Sequence, residues 1–352
     1  MTVIRRLFGY AEDTKNGGSG FDDLTSGAIP DATVFWPVTG GSLDRNIERT
    51  DRNTEVRGRR AATAPAPFTA APQMTIPVNA YLSVVAVALR KCFGGVDAGG
   101  TGTAPGPFVH NLVPLGFGAT YLPAVHLQMV RDDLNHKVSG AVFSQVQLNF
   151  PMDGMGTIEI TAPGQYYKND PAAPPTSSFT GLSDEPLFLR DAAVTIDGAA
   201  EAIPDLQAFE FGFNNNTTVK RYARRNVVSQ SIGTPAKLRK VWYPSENKLG
   251  PSQDVTYAIN TGNTEAGQEL ALDFGQVQQL AFNCLGADIP AASATEMLDI
   301  VLQAAEHTTG GAGDLSARDD ITSRFEGGAF YNETAGADIT VTVTNGSAAP
   351  IV

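Results

Sequence analysis

The chain has 352 residues and is 42% hydrophobic, enough to bury a sizeable core in one large or two ordinary domains. Its 36 glycines and 22 prolines are scattered without a period, which excludes collagen and coiled coil and suits many short strands joined by long loops. A formal net charge of −12 excludes adhesion to nucleic acid as the main activity, because phosphate binding needs a basic footprint, yet it suits a surface past which a polyanion slides.

No run approaches the roughly 20 apolar residues that span a bilayer, and the opening MTVIRRLFGYAEDT lacks the apolar core and cleavage site of a secretory signal. The expectation is a protein without membrane insertion, made and kept inside a cell. Cys92 and Cys284 are far apart and have no metal-ligand neighbours; a disulfide fits, and two buried thiols fit better.

In chain order, residues 1–32 read as a glycine-rich polar arm, followed by the apolar phrase Val34–Val38, in which Pro37 demotes any strand to an edge. Residues 44–72 read as a charged loop. Asp44, Arg45, Glu48, Arg49, Asp51, Arg52, Glu55, Arg57, Arg59 and Arg60 alternate in sign there with no buried face, fitting either a solvated loop or an arm that pairs charges with a neighbouring subunit. A helix is predicted over 79–93. Pro77 and Asn79 provide its approach and N-cap, Tyr81, Val84, Val85, Ala88, Leu89 and Cys92 recur at helical spacing, and Arg90, Lys91 and Gly94–Gly95 end it.

After a proline-rich connection at 95–107, strands are predicted. Val146, Leu148 and Phe150 alternate with Gln145, Gln147 and Asn149, and beyond a turn at Asp153–Gly156, Ile158 and Ile160 alternate with Thr157, Glu159 and Thr161. A second proline-rich connection, 163–186, leads to a predicted strand pair. The Asp197–Gly198 turn would join a strand beginning at Val194 to a longer one in which Gln207, Phe209, Phe211 and Phe213 share a face opposite Glu210 and Gly212. The two hairpins read as a weak internal repeat. Lys220, Arg221, Arg224, Arg225, Lys237, Arg239 and Lys240 form the one basic stretch, better suited to an acidic face of another copy than to nucleic acid. Further strands are expected at Glu269–Phe274, at Met297–Thr309 and at Ile339–Thr344, where Ile339, Val341 and Val343 oppose three threonines.

Chemistry is hard to find. His110, His126, His136 and His307 form no HExxH, HxH or cysteine-supported metal site and flank no nucleophile motif, so satisfied or solvated histidines are expected. Gly94–Gly106 lacks the GK[ST] ending of a phosphate loop, and the pairs Asp132–Asp133 and Asp319–Asp320 point to opposite faces if they lie on strands. The expectation is no enzyme, no metal and no cofactor.

Several phrases, in this order, resemble those of long-tailed bacteriophage (siphophage) tail tube proteins, also called major tail proteins. They are the helix phrase closing on Gly94–Gly95, Leu122–Pro123 with Arg131, the VTIDG turn leading to Asn214–Asn216, and Phe330–Asn332 before the closing ITVTVTNG. The resemblance implies a mainly β fold: a single domain over 1–352, built as a β-sandwich or half-barrel with one flanking helix. It further implies hexameric rings that stack into a tail tube, with a continuous β-barrel lumen through which double-stranded DNA passes without specific binding. Gln145, Gln147, Asn149, Thr157, Glu159, Thr161 and Glu210 are then lumen candidates. The charged residues from Asp44 to Arg60, with Lys220, Arg221, Arg224 and Arg225, are candidates for contacts between rings or subunits. Implied partners are further copies of the chain, a tape measure protein and tail terminator and tip proteins; the implied location is the virion tail, after synthesis in the host cytoplasm. A rival reading is a secreted carbohydrate-binding or hydrolytic β-module, motivated by Trp36, Trp242, Tyr166 and Tyr167; another virion part, a capsid decoration or baseplate component, is a third.

Overall fold

The computed structural model describes residues 6–13, 29–50, 66–95, 97, 99–116, 119, 121–131, 134–170, 185–198, 203, 205–221, 227–232, 237–244, 246–261, 273, 275–312 and 323–351. The fold is mainly β, with one α-helix among those residues. The strands are Arg6–Glu12 (β1), Val34–Trp36 (β2), Ser42–Asp44 (β3), Glu48–Thr50 (β4), Ala66–Thr69 (β5), Gln73–Asn79 (β6), Phe108–Leu112 (β7), Val125–Arg131 (β8), Leu134–Ala141 (β9), Gln145–Pro151 (β10), Thr157–Pro163 (β11) and Tyr166–Asp170 (β12). They continue with Ala192–Ile196 (β13), Leu206–Asn214 (β14), Thr218–Lys220 (β15), Val227–Ile232 (β16), Lys237–Trp242 (β17), Glu246–Lys248 (β18), Asp254–Thr261 (β19), Val277–Ile289 (β20), Ala294–Ala312 (β21), Ser323–Ala329 (β22) and Ile339–Asn345 (β23). The helix α1 is Leu82–Phe93.

The main sheet has twelve strands and turns on β21. One side of β21 pairs with β20, which carries β13 at the edge; the other side pairs with β23 over Met297–Leu302 and with β22 from Ala305 onward, and a register shift between His307 and Thr309 falls within the β22 pairing. From β22 the order runs β19, β14, β10, β11, β6, β3, while β23 continues to β7. A bulge of this kind bends a strand and re-aims its neighbours. The two wings therefore face one another, and Phe282 of β20 stacks on Phe209 of β14 at 4.1 Å and an interplanar angle of 5°, with Phe150 of β10 at 4.9 Å.

Strict alternation sorts the residues of the second wing. Val146, Leu148, Phe150, Ile158, Ile160, Phe209, Phe211 and Phe213 are fully buried, as the period of two predicts, while their alternates face outward. Helix α1 plugs the space between the wings and is buried nearly all round; Phe93 meets Phe213 edge to face at 4.6 Å. Gly94 ends the helix in the left-handed region at φ 74°, its N–H bonded to the Arg90 carbonyl. The start differs from the sequence reading. Asn79 is the last residue of β6, held in the ladder opposite Thr157, so Tyr81 is the N-cap and no side chain caps the helix.

A five-stranded antiparallel sheet, β12-β9-β8-β1-β2, adds a second layer to the same core. Trp36 sits among Phe8, Tyr10 and Phe143, so part of the expected N-terminal arm is an internal strand of this sheet. Lys91 stands in the last turn of the helix as read, and it is buried there in an ion pair with Glu12 of β1. The outer face of the sheet is polar yet covered, because residues 29–32 lie across it. Gln128 Oε1 accepts from the Ala32 N–H at 2.7 Å, Gln128 Nε2 donates to Asn135 Oδ1 at 2.8 Å, and Lys137 Nζ donates to Asp31, Asp170 and the Ile29 carbonyl at 2.8, 2.8 and 3.1 Å.

The expected strand pair at 193–214 is not a pair. The Asp197–Gly198 turn exists, with φ of 49° and 65°, but β13 pairs with β20 and β14 lies between β10 and β19, so the internal repeat does not hold either. Met297–Thr309 is strand as read, within β21. The strand expected at Glu269–Phe274 falls outside the described residues except for Asp273, and Asp132–Asp133 and Asp319–Asp320 also fall outside them. Cys92 and Cys284 are both free and buried.

Burial opposes the charge of Lys137, but the two carboxylates and their hydrogen bonds outweigh it and hold the ammonium above its ordinary pKa. A raised cation stabilises fully below its unfolded pKa, about 10.4, and loses that contribution as pH rises through the folded value. Lys137→Met strips two carboxylates of their partner and is expected to cost about 2–4 kcal/mol, somewhat under the range for breaking a fully buried pair, because Asp31 is partly solvated. Urea denaturation at pH 7 measures that loss. Limited proteolysis should show earlier cleavage around residues 29–32 in the variant.

Candidate functional surface

The outward face of the second wing is built from every other residue of its strands. Antiparallel register sets Gln145, Gln147 and Asn149 directly opposite Thr161, Glu159 and Thr157, and on the other side sets Asn149 opposite Glu210 and Gln147 opposite Gly212. All seven residues singled out from the sequence as lining candidates thus share one face of three adjacent strands. The face extends through Thr75 and Pro77 of β6 and through Asp254, Thr256 and Asn260 of β19 to Arg324 and Glu326 of β22. Gly212 keeps it close-packed, since a Cβ there would stand 2.6 Å from Thr256 Oγ1.

Its charge is acidic and locally compensated. Asp44, at the edge strand β3, joins Glu159, Glu210, Asp254 and Glu326 on this face, with Arg324 as the one cation among its described residues. Arg324 is placed where three strands converge. Its guanidinium grips Glu210 with two bonds of 3.0 and 3.2 Å, reaches Asn260 Oδ1 at 3.3 Å and donates from Nε to Glu326 at 2.5 Å. Hydrogen bonds to Glu210 and Glu326 push the guanidinium up, and the bond from Arg324 holds the Glu326 carboxyl below its usual range. Sequence reasoning missed Arg324, Glu326 and Asp254. Alternation of Arg324 and Glu326 about the buried Phe325 was the available signal, but their meeting with Glu210, far away in sequence, depends on strand order.

The charged stretches take other places. Arg45 lies over the Tyr167 ring at 4.3 Å and donates to its hydroxyl at 2.8 Å, and Glu48 accepts from Thr69 Oγ1 at 2.7 Å. Part of the expected loop at 44–72 is strand: β4 and β5 form one hairpin, β16 and β17 another, and Thr69 opposite Trp242 joins them in parallel as a four-stranded sheet. The topology so brings the charged stretch and the basic stretch, including Lys237, Arg239 and Lys240, into one sheet. Arg49 lies on β4, Lys220 is exposed on β15 opposite Glu246, and Arg221 follows it, also exposed. Asp51, Arg52, Glu55, Arg57, Arg59, Arg60, Arg224 and Arg225 fall outside the described residues.

The histidines serve as struts. His110 is wholly buried, its Nδ1 2.9 Å from Asp97 and its Nε2 2.8 Å from the Ser347 carbonyl, and Asp97 also accepts from the Ile351 N–H, so the pair ties the C-terminal segment to the 95–107 connection. Burial raises the Asp97 carboxyl, but the Ile351 amide, His110 and the Gly99 amide together hold it below the usual carboxylate range. His307 is buried rather than solvated, with Tyr257 Oη at 2.8 Å and Phe325 beside it. Ser139, His126 and Asp13 fall in line, yet Ser139 is buried and the His126–Asp13 separation of 3.8 Å is beyond a hydrogen bond, so the group lacks the reach of a nucleophilic triad. Among the described residues no cluster of three metal-ligating side chains occurs and no helix is long and apolar enough to cross a membrane. Trp36 and Tyr166 are in the core and Tyr167 is half covered by Arg45, so these three aromatics form no exposed platform for a glycan.

A family model described as phage tail tube protein matches residues 8–236, about two-thirds of the chain. The match takes in β1 through β16, including all seven lining candidates. No curated protein matches the chain.

Arg324→Gln is expected to lower stability by about 1 kcal/mol or less, because the pair is largely exposed and screened. Glu326, whose depressed pKa contributes stability above its unfolded value and loses it as pH falls through the folded one, should titrate at a higher pH in the variant. A carboxyl-resolved NMR titration reads that shift.

Proposed function

The chain belongs to the phage tail tube protein family, a structural component of the bacteriophage tail, and we propose that six copies close into a ring and that rings stack into the tube. The observation that carries this reading is the outward face of the second wing: polar, acidic, spread over seven adjacent strands and backed by an unbroken apolar layer. In the ring this face lines the lumen. Its carboxylates repel phosphate, so double-stranded DNA passes without adhering, and the Arg324 clamp holds Glu210 while limiting the repulsion between neighbouring acids.

Ring closure also answers a problem of the sheet itself. The edge strand β3 is three residues long and covers β6 only at Gln73–Thr75, while Val38 makes a single bridge to Val78. An edge of this kind is a site for pairing with another chain, and closure around six copies removes it. The remaining partners follow from position in the tail: a tape measure protein inside the tube during assembly, and terminator and tip proteins at its ends. Synthesis takes place in the host cytoplasm and the mature location is the virion tail.

Electron cryomicroscopy of the purified protein should show six-fold rings and hollow tubes with Glu159 and Glu210 facing the channel. Particles carrying Glu159→Lys together with Glu210→Lys are expected to build tubes of normal length but to release DNA more slowly, because the reversed face holds phosphate. Unchanged release from such particles rules out this face as the lumen; persistent monomers at high concentration rule out the ring.

A further inference from the structure

Two surfaces of unlike shape lie at opposite ends of the same strands. At the first, the tight turn between β10 and β11 carries Met152 and Met155, which are 57% and 43% exposed. Register fixes its place: Pro151 lies opposite Ala208, and Ala208 opposite Asn260, so the turn is at the end of the sheet where β14 begins and β19 finishes. At the second end, Asn214 lies opposite Asp254 and Thr256 opposite Gly328, so residues just beyond Asn214, before Asp254 and after Gly328 come together. They enclose a groove of about 570 Å3. Its walls include Leu115, Leu249 and Pro251, and its rim carries Val113, Phe330 and Tyr331, which are 48%, 52% and 65% exposed. The β10 strand of seven residues sets the two ends roughly 20–25 Å apart at about 3.4 Å per residue.

We propose that the Met152–Met155 turn of one copy seats in the Phe330–Tyr331 groove of the copy stacked on it, so that this contact joins ring to ring. The inference rests on the stacking reading above and adds the residues that make the joint. Large apolar side chains left in water at both ends are the first reason, since such groups mark interaction surfaces. Methionine is unbranched and adapts to an irregular groove, and its sulfur packs well at aromatic edges. The second reason is geometric. A contact between unlike patches on opposite ends cannot close between two copies and repeats as an open stack. Asp153, exposed between the methionines, disfavours two turns meeting tip to tip, which would set like charges together. The carboxylate in the groove has both oxygens hydrogen-bonded: Asp338 accepts from Gln253 and from the Ile339 N–H, so the incoming turn need not supply it with a donor.

The test compares the full-length protein with two double variants, Met152→Glu/Met155→Glu and Phe330→Glu/Tyr331→Glu. Native mass spectrometry should find rings of unchanged stoichiometry in both, and sedimentation should show the concentration needed for tubes raised about tenfold or more, a tenfold change being the measure of one modest contact. Oxidation of mixed Met155→Cys and Tyr331→Cys proteins should link the two kinds of chain, and neither kind to itself. Variants that build tubes at the wild-type concentration, or Tyr331→Cys chains that link to one another, overturn the joint while leaving stacking intact. A wild-type protein that makes rings and never tubes overturns stacking and the joint together.

Discussion

The structure depends on one long antiparallel sheet folded about β21 so that its two wings bury a common face. Phe282 against Phe209 and Phe150 is the contact across that fold, and Phe93 of the helix against Phe213 closes the end. Burying one face commits the other to water. The polar surface of the second wing is therefore a direct consequence of the core packing, and it is continuous because its strands keep register across it, the one shift in these pairings falling at the start of β14 between Leu206 and Ala208.

Around this sandwich, ion pairs with a buried member fasten several segments in addition to their apolar contacts. Lys91 with Glu12 ties the helix to the second sheet, Lys137 with Asp31 and Asp170 ties residues 29–32 across it, and His110 with Asp97 ties the C-terminal segment to the connection after the helix. A buried cation costs desolvation, so these pairs contribute specificity of place as much as stability. For a protein proposed to assemble by placing many identical faces in contact, a unique position for each peripheral segment matters. The same economy of charge is seen on the outward face, where Arg324 sits among Glu210, Glu326 and Asn260 instead of leaving adjacent carboxylates to repel.

Much of the core was legible from the order of residues. The phenylalanines of β14, the alternation of β10 and β11, and the glycine that ends the helix all behave as local rules demand, because a period of two or of 3.6 is written in adjacent residues. Errors arose where a local signal met a distant partner. Asp197–Gly198 makes its turn, but β13 pairs with β20 and not with β14. Asn79 has the side chain of a cap, but its backbone is held in the ladder with β11, which places it before the helix start at Tyr81. Lys91 holds its place in the last turn, but its ion pair with Glu12 of β1 is a tertiary contact that no helical spacing announces.

The sequence by itself determined that the chain is β-rich and acidic, which side chains of each strand share a face, and that the lining candidates carry no reactive group, since composition and periodicity are local properties. Tertiary structure decided which strands are neighbours. Only that choice assembles Gln145 to Glu210 into one surface, brings Arg324 to Glu210, joins the charged hairpin to the basic one, and sets a methionine turn and an aromatic groove at opposite ends of the same strands. Strand pairing is settled by the total apolar area that a particular order buries, a sum over residues far apart in the chain, and no short stretch of sequence contains it.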